Sequence, residues 1–107
     1  MLDLAPRYLT EIKKTLKTIV PDCEVRVFGS RVTGNAKKFS DLDLALIGKE
    51  KIDWQLIEQL KDAFAESDLP YMVDVLDWNA LSKEFQRLIE KQSVTIQKGT
   101  NRNPMTT

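Results

Sequence analysis

The sequence predicts an α+β fold, one small mixed β-sheet with helices packed against it. Three observations predict it. Runs with apolar residues at helical spacing alternate along the chain with short runs rich in β-formers. The strand-like runs are few, so one small sheet must carry them. The 107 residues suit a single hydrophobic core, and an apolar content of 42% is ordinary for a folded chain.

The elements follow in order. Leu9, Ile12, Leu16, Ile19 and Val20 recur at helical spacing, so residues 6–19 read as an amphipathic helix started by Pro6 and ended by Pro21-Asp22. Residues 24–28, EVRVF, alternate as a strand does, and Gly29-Ser30 breaks the pattern. A short helix is expected from Ser30, then a polar loop carrying the turn signal Gly34-Asn35. DLDLALI, 41–47, reads as a strand closed by Gly48. Ile52, Leu56, Ile57, Leu60, Ala63 and Phe64 mark a helix over 52–66, and Pro70 precedes a third strand, YMVDVLD, 71–77. Leu81, Phe85, Leu88, Ile89 and Ile96 predict one last helix over 79–96, with Asp77 or Asn79 as its N-cap. The expected domain is 1–97, with 98–107 as a loose polar tail.

Composition narrows the chemistry. There is no histidine, which excludes Ser-His-Asp and Cys-His catalysis and imidazole acid–base steps. Cys23 is the lone cysteine, so neither an intramolecular disulfide nor a cysteine zinc cluster can form. Sixteen basic residues balance sixteen acidic ones, so no direct nucleic-acid binding is expected. No apolar run approaches a membrane span, and the start lacks signal-peptide order, so a cytoplasmic protein is expected.

The informative stretch is GSRVTGNAKKFSDLDL, 29–44. A Gly-Ser pair directly after a strand is followed, ten residues on, by Asp-x-Asp at the mouth of the next strand. Side chains two apart on a strand share a face, so Asp41 and Asp43 project together with Cα atoms about 6–7 Å apart. Two carboxylates that close repel, and a divalent cation relieves them. Hard oxygen ligands without His or Cys favour Mg²⁺ or Mn²⁺ over Zn²⁺. Gly29 lets backbone approach a phosphate, the Ser30 hydroxyl can donate to it, and Arg31 can reach a triphosphate. Asp74, inside an apolar strand, has two readings. It either faces solvent on an edge strand or joins the pair as a third metal ligand. Asp77 has the opposite parity and reads as a cap.

Residues 29–43 resemble the signature of the DNA polymerase beta-like nucleotidyltransferase superfamily, and the Asp74 strand resembles its third-acid strand. Over about 5–97 the chain is similar to the minimal nucleotidyltransferase branch, whose members often sit beside a HEPN-domain protein. The resemblance implies the nucleotidyltransferase fold, Mg²⁺ held by Asp41, Asp43 and Asp74, and a triphosphate contacted by Gly29 and Ser30. It further implies an antitoxin that transfers AMP from ATP to a tyrosine of a HEPN ribonuclease toxin.

Two other functions stay open: a non-catalytic module that occludes its partner by contact, and a small-molecule nucleotidyltransferase whose acceptor pocket is shared with a helical subunit. Lys37 and Lys38 read as a solvated loop pair, and Trp54, Trp78 and Tyr71 as packing residues.

Overall fold

A computed structural model describes residues 2–37 and 40–99. Its elements are α1 (Pro6–Ile19), β1 (Glu24–Phe28), α2 (Ser30–Thr33), β2 (Leu42–Ile47), α3 (Trp54–Ala65) and β3 (Val73–Asp77). A 3-10 turn (Trp78–Ala80), α4 (Lys83–Lys91) and β4 (Val94–Gln97) complete the chain. The strands form one mixed sheet in the order β3-β2-β1-β4. β1 runs antiparallel to both β2 and β4, and β2 runs parallel to β3.

α1 starts without a side-chain cap: Pro6 removes one of the first-turn N–H groups, and Ala5 O accepts from Tyr8 N at 3.0 Å. Its apolar stripe buries Ile12 and Leu16 completely. α3 is capped by Asp53, whose Oδ1 accepts a hydrogen bond from Gln55 N at 3.0 Å, and it buries Leu60 and Phe64. These two helices cover one face of the sheet, against Val25, Val27, Leu44, Leu46 and Val75. Each fully buried Leu or Ile there contributes about 1.5–3 kcal/mol.

The last third departs from the expected helix over 79–96. Asp77 caps the 3-10 turn instead, its Oδ1 accepting from Asn79 N, while Ser82 caps α4 by accepting from Phe85 N at 3.1 Å. The helix stops at Lys91, and Val94-Thr95-Ile96 forms β4 on the free edge of β1. Two β-branched neighbours and Thr95 prefer the pleated surface, and pairing satisfies backbone groups that β1 would otherwise expose. The apolar spacing of Ile89 and Ile96, seven residues apart, fits a helix by coincidence.

The end of β4 is tied to the loop after α1. Gln97 Nε2 donates to Val20 O and Cys23 O, each at 2.9 Å, and Gly99 lies so close to the Asp22 backbone that a Cβ would collide with it. The rest of the tail, from residue 100, lies outside the described residues. Among the described residues, no helix is long and apolar enough to cross a membrane.

Alternation along the strands sends Phe28, Asp43, Ala45 and Asp74 to the face away from α1 and α3. α4 covers part of that face, with Phe85 edge-on to Phe28 at 5.9 Å between ring centroids. The end of the sheet carrying Asp43 and Asp74 is where the acids gather.

Candidate active site

Three strand ends meet here. Phe28 on β1 is the register partner of Asp43 on β2, and Asp43 is the partner of Asp74 on β3. Register partners in adjacent strands point to the same face, so the two carboxylates stand side by side. The solvent-facing reading of Asp74 and the metal-ligand reading are thus compatible. It is exposed, lies on an edge strand, and still faces the same space as Asp43. Asp41 precedes β2 by one residue, shares the parity of Asp43 and is exposed.

Asp43 is the half-buried member, and its pKa is raised above the ordinary carboxylate value. Burial is the main cause, followed by the charges of Asp74 and then Asp41. That is the electrostatic demand a divalent cation would relieve. Among the described residues no three His, Cys, Asp or Glu side chains are already drawn into a closed metal cluster. The two exposed aspartates have room to turn inward, and Mg²⁺ takes only one or two carboxylates alongside waters and substrate phosphates. The donor set, all carboxylate oxygen, fits Mg²⁺ or Mn²⁺.

Gly29 is required twice over. Its φ of 81° and ψ of −156° form a backbone state that side-chain-bearing residues avoid, and a Cβ there would collide with Asp43 Oδ2. Asp43 therefore packs directly on the glycine backbone. Gly29 O accepts from Val32 N and Thr33 N, which turns the chain into α2 and sets Ser30 at its first position. With only four residues, α2 has little dipole, so any phosphate cradle here rests on backbone N–H groups and the Ser30 hydroxyl.

Arg31 does not point at that cradle. It is 6% exposed, and its guanidinium is committed elsewhere. Nε and Nη2 both donate to Ser40 O, at 3.2 and 2.8 Å, and Nη1 donates to Asp3 O at 3.2 Å. The group also lies 4.0 Å from the centre of the Tyr71 ring. Arg31 thus ties the Gly29-Ser30 turn to the residue before Asp41 and to the approach to β3. A buried arginine held by carbonyls acts as a brace in this structure, with its guanidinium turned to Ser40 O, Asp3 O and the Tyr71 ring.

Tyr71 packs as expected, edge-on to Tyr8 at 6.2 Å, with its hydroxyl pKa raised mainly by burial and lowered in part by Arg31. Asp77, of opposite parity, spends its second carboxylate oxygen on Ile52 N at 2.9 Å. Lys37 is exposed, and Lys38 lies outside the described residues.

Sequence patterns gave no notice of an open cleft beside the acids. It has a volume of about 830 Å³ and is lined by Asp41, Asp74, Met72, Leu69, Phe64 and Ala65 among others.

Comparisons with known proteins agree with this geometry. A family described as Polymerase beta, Nucleotidyltransferase matches residues 10–101. The chain is 50% identical over 96 residues to a probable protein adenylyltransferase, MntA, of Haemophilus influenzae, covering 90% of this chain and 84% of that protein. It is similar to one chain of a toxin–antitoxin crystal structure with AMP-PNP, at 25% identity and a TM-score of 0.64 over 92% of this chain and 78% of that one. The fold is shared as well with a chain of the tri-AMPylated Shewanella oneidensis HEPN toxin complexed with MNT antitoxin, at 23% identity and a TM-score of 0.56 over 92% and 75%. The family match over most of the chain and the 50% identity decide the lineage: this chain is a member of the polymerase beta nucleotidyltransferase family, on its minimal nucleotidyltransferase branch.

Proposed function

We propose that this nucleotidyltransferase moves AMP from ATP onto a hydroxyl of a partner protein, and that it serves as the antitoxin of a HEPN toxin. The observation that carries the reading is the pairing of Asp43 with Asp74 while Gly29 backs onto Asp43. It sets a phosphate-approachable turn and the acids on one face. The Haemophilus relative is named as an adenylyltransferase, and the AMP-PNP complex pairs a similar chain with a toxin. Both support the reading.

Mg²⁺, held by Asp41, Asp43 and Asp74, would supply positive charge against the triphosphate when bound. The chain's own groups do the rest. The backbone at Gly29 and the Ser30 hydroxyl hold the phosphates. The acceptor hydroxyl oxygen bonds to the α-phosphorus as the bond from that phosphorus to the bridging oxygen breaks, and pyrophosphate departs. The hydroxyl proton passes to the exposed carboxylate of Asp74 and on to water. Positioning and charge do the work that histidine does elsewhere. We place the reaction in the cytoplasm, where ATP is supplied and the buried Cys23 thiol stays reduced.

The test is co-expression with the protein encoded by the neighbouring gene, followed by intact-mass measurement. An AMP adduct on the partner, lost with Asp41→Asn, is the expected result. An unmodified partner that is still neutralised by the Asp43→Asn chain would replace the reading with inhibition by contact.

A further inference from the structure

We propose that the outward face of α1, on the side of the sheet away from the acids, is a docking surface for an acidic patch of the partner protein. The inference rests on the reading above that a partner protein exists, and adds which surface holds it and by what chemistry.

The helices differ in the sign of their exposed charge. α1 turns Ile12 and Leu16 into the core, so Arg7, Lys14 and Lys17 fall on the opposite side and are exposed, with Lys13 exposed on one flank. Its single acid, Glu11, is half-buried on the other flank. Arg7 and Lys17 therefore mark out roughly 15 Å of surface of one sign. The other long helices are mixed: α3 places Glu58 and Asp62 around Lys61, and α4 places Glu84 and Glu90 around Arg87. Among the described residues, none of the α1 cations joins an ion pair, and Arg7 donates instead to the Tyr8 hydroxyl at 3.0 Å. Lys17 lies three residues from Lys14 and four from Lys13, spacings at which like charges weaken a helix. An acidic surface laid against them would turn that repulsion into attraction.

The basic surface does not end with the helix. Arg7 and Lys37 both line a cavity of about 400 Å³, in which Asp3 is the one carboxylate among the lining residues. Pro70 and Tyr71 line that cavity and also the cleft that holds Asp41 and Asp74. The positive track thus starts on the helical side of the sheet and finishes one wall away from the acids. A partner seated on it stays beside the cleft without touching the metal-ligand candidates.

The charge balance selects a protein over a nucleic acid. The chain is formally neutral, so a uniformly charged polyanion meets repulsion from the acids as well as attraction from α1. A protein surface needs opposite charge only where it touches, and such pairing fixes orientation and speeds encounter.

The experiment measures the Kd of the chain for the purified product of the neighbouring gene at rising salt. Lys14→Glu/Lys17→Glu should weaken binding about tenfold or more and flatten its salt dependence. Lys14→Gln/Lys17→Gln should lie between that variant and the unaltered chain. Both should keep their Tm and their affinity for a non-hydrolysable ATP analogue, and should raise the acceptor KM with kcat unchanged. Lys83→Glu/Lys91→Glu, an equal reversal on α4, should leave partner affinity within about twofold. Unchanged partner affinity in the α1 reversal overturns the proposal, as does an equal loss from both reversals. Binding of a labelled single-stranded RNA oligonucleotide, abolished by the α1 reversal, also overturns it. Partner binding that depends on α1 while no adduct forms keeps the docking surface and removes the transferase reading instead.

Discussion

The Asp43 carboxylate lies against the backbone of Gly29, so closely that a Cβ on the glycine would meet Oδ2 and stand 3.2 Å from Cγ. This contact joins the Gly29-Ser30 turn, the proposed phosphate site, to the metal-ligand candidate. Gly29→Ala should therefore damage both. The backbone state alone costs about 1–3 kcal/mol for a residue with a side chain. Displacement of the carboxylate by even an ångström should lower transfer by about 100-fold. Thermal unfolding and adduct formation measured on the same preparation check it. A variant with lowered Tm but full activity would show that the contact is only structural.

Asp43 also sets a pH dependence. Its folded pKa is raised, by burial first and by the Asp74 and Asp41 charges next. The folded state then holds a proton more tightly than the unfolded chain does. Stability of the metal-free protein should fall as pH rises from the ordinary carboxylate value through the raised one. Asp43→Asn removes the penalised charge and should unfold at a higher temperature than the unaltered chain at neutral pH, while losing about 100-fold or more of its activity. Mg²⁺ should raise the Tm of the unaltered chain and not that of Asp43→Asn, and chelator should reverse the gain. Equal responses to Mg²⁺ in the two proteins would argue against Asp43 as a ligand.

Arg31 leads to a different outcome from a phosphate ligand. Its loss in Arg31→Ala leaves Ser40 O and Asp3 O without their donors and the Tyr71 ring without its cation. The expected cost is about 3 kcal/mol in urea unfolding. Arg31→Lys should recover only part of it, because an ammonium cannot span both carbonyls as the fork does. Affinity for a non-hydrolysable ATP analogue, measured where the variant remains folded, should change less than kcat. A large loss of analogue affinity at unchanged stability would return Arg31 to the triphosphate.

The shared face of the candidate site's acids was legible along each strand, and the register between strands was not. Parity along a strand fixes that Asp41 and Asp43 agree and that Asp74 and Asp77 differ. Which residue of β3 stands beside Asp43 depends on a parallel pairing that only the packed α3 crossover decides. Gly29 was readable as a turn residue, whereas its contact with a side chain fourteen positions away was not. The inward turn of Arg31 was not readable either, because it depends on carbonyls, Ser40 O and Asp3 O, that come from distant parts of the chain. The last helix misled for a simpler reason. Ile96 fits a helical stripe, and nothing local says that β1 has a free edge to fill.

Asp74 and Asp77, three residues apart on β3, should respond in opposite ways. Asp77 accepts from Ile52 N at 2.9 Å and Asn79 N at 3.1 Å, closing the entry to α3 and the 3-10 turn at once. Asp77→Ala should cost about 1–2 kcal/mol, and so lower Tm by about 5–10 °C, with adduct formation near normal below the transition. Asp74 is exposed and makes no such bond among the described residues, so Asp74→Asn should shift stability by less than about 0.5 kcal/mol. Its transfer rate should fall by about 100-fold or more, because the carboxylate facing the acceptor side is gone. The two variants together separate charge needed for folding from charge needed for chemistry. If Asp74→Asn kept full transfer while Asp77→Asn lost it, the parity assignment of the strand would be reversed, and the acids would have to be regrouped around Asp77.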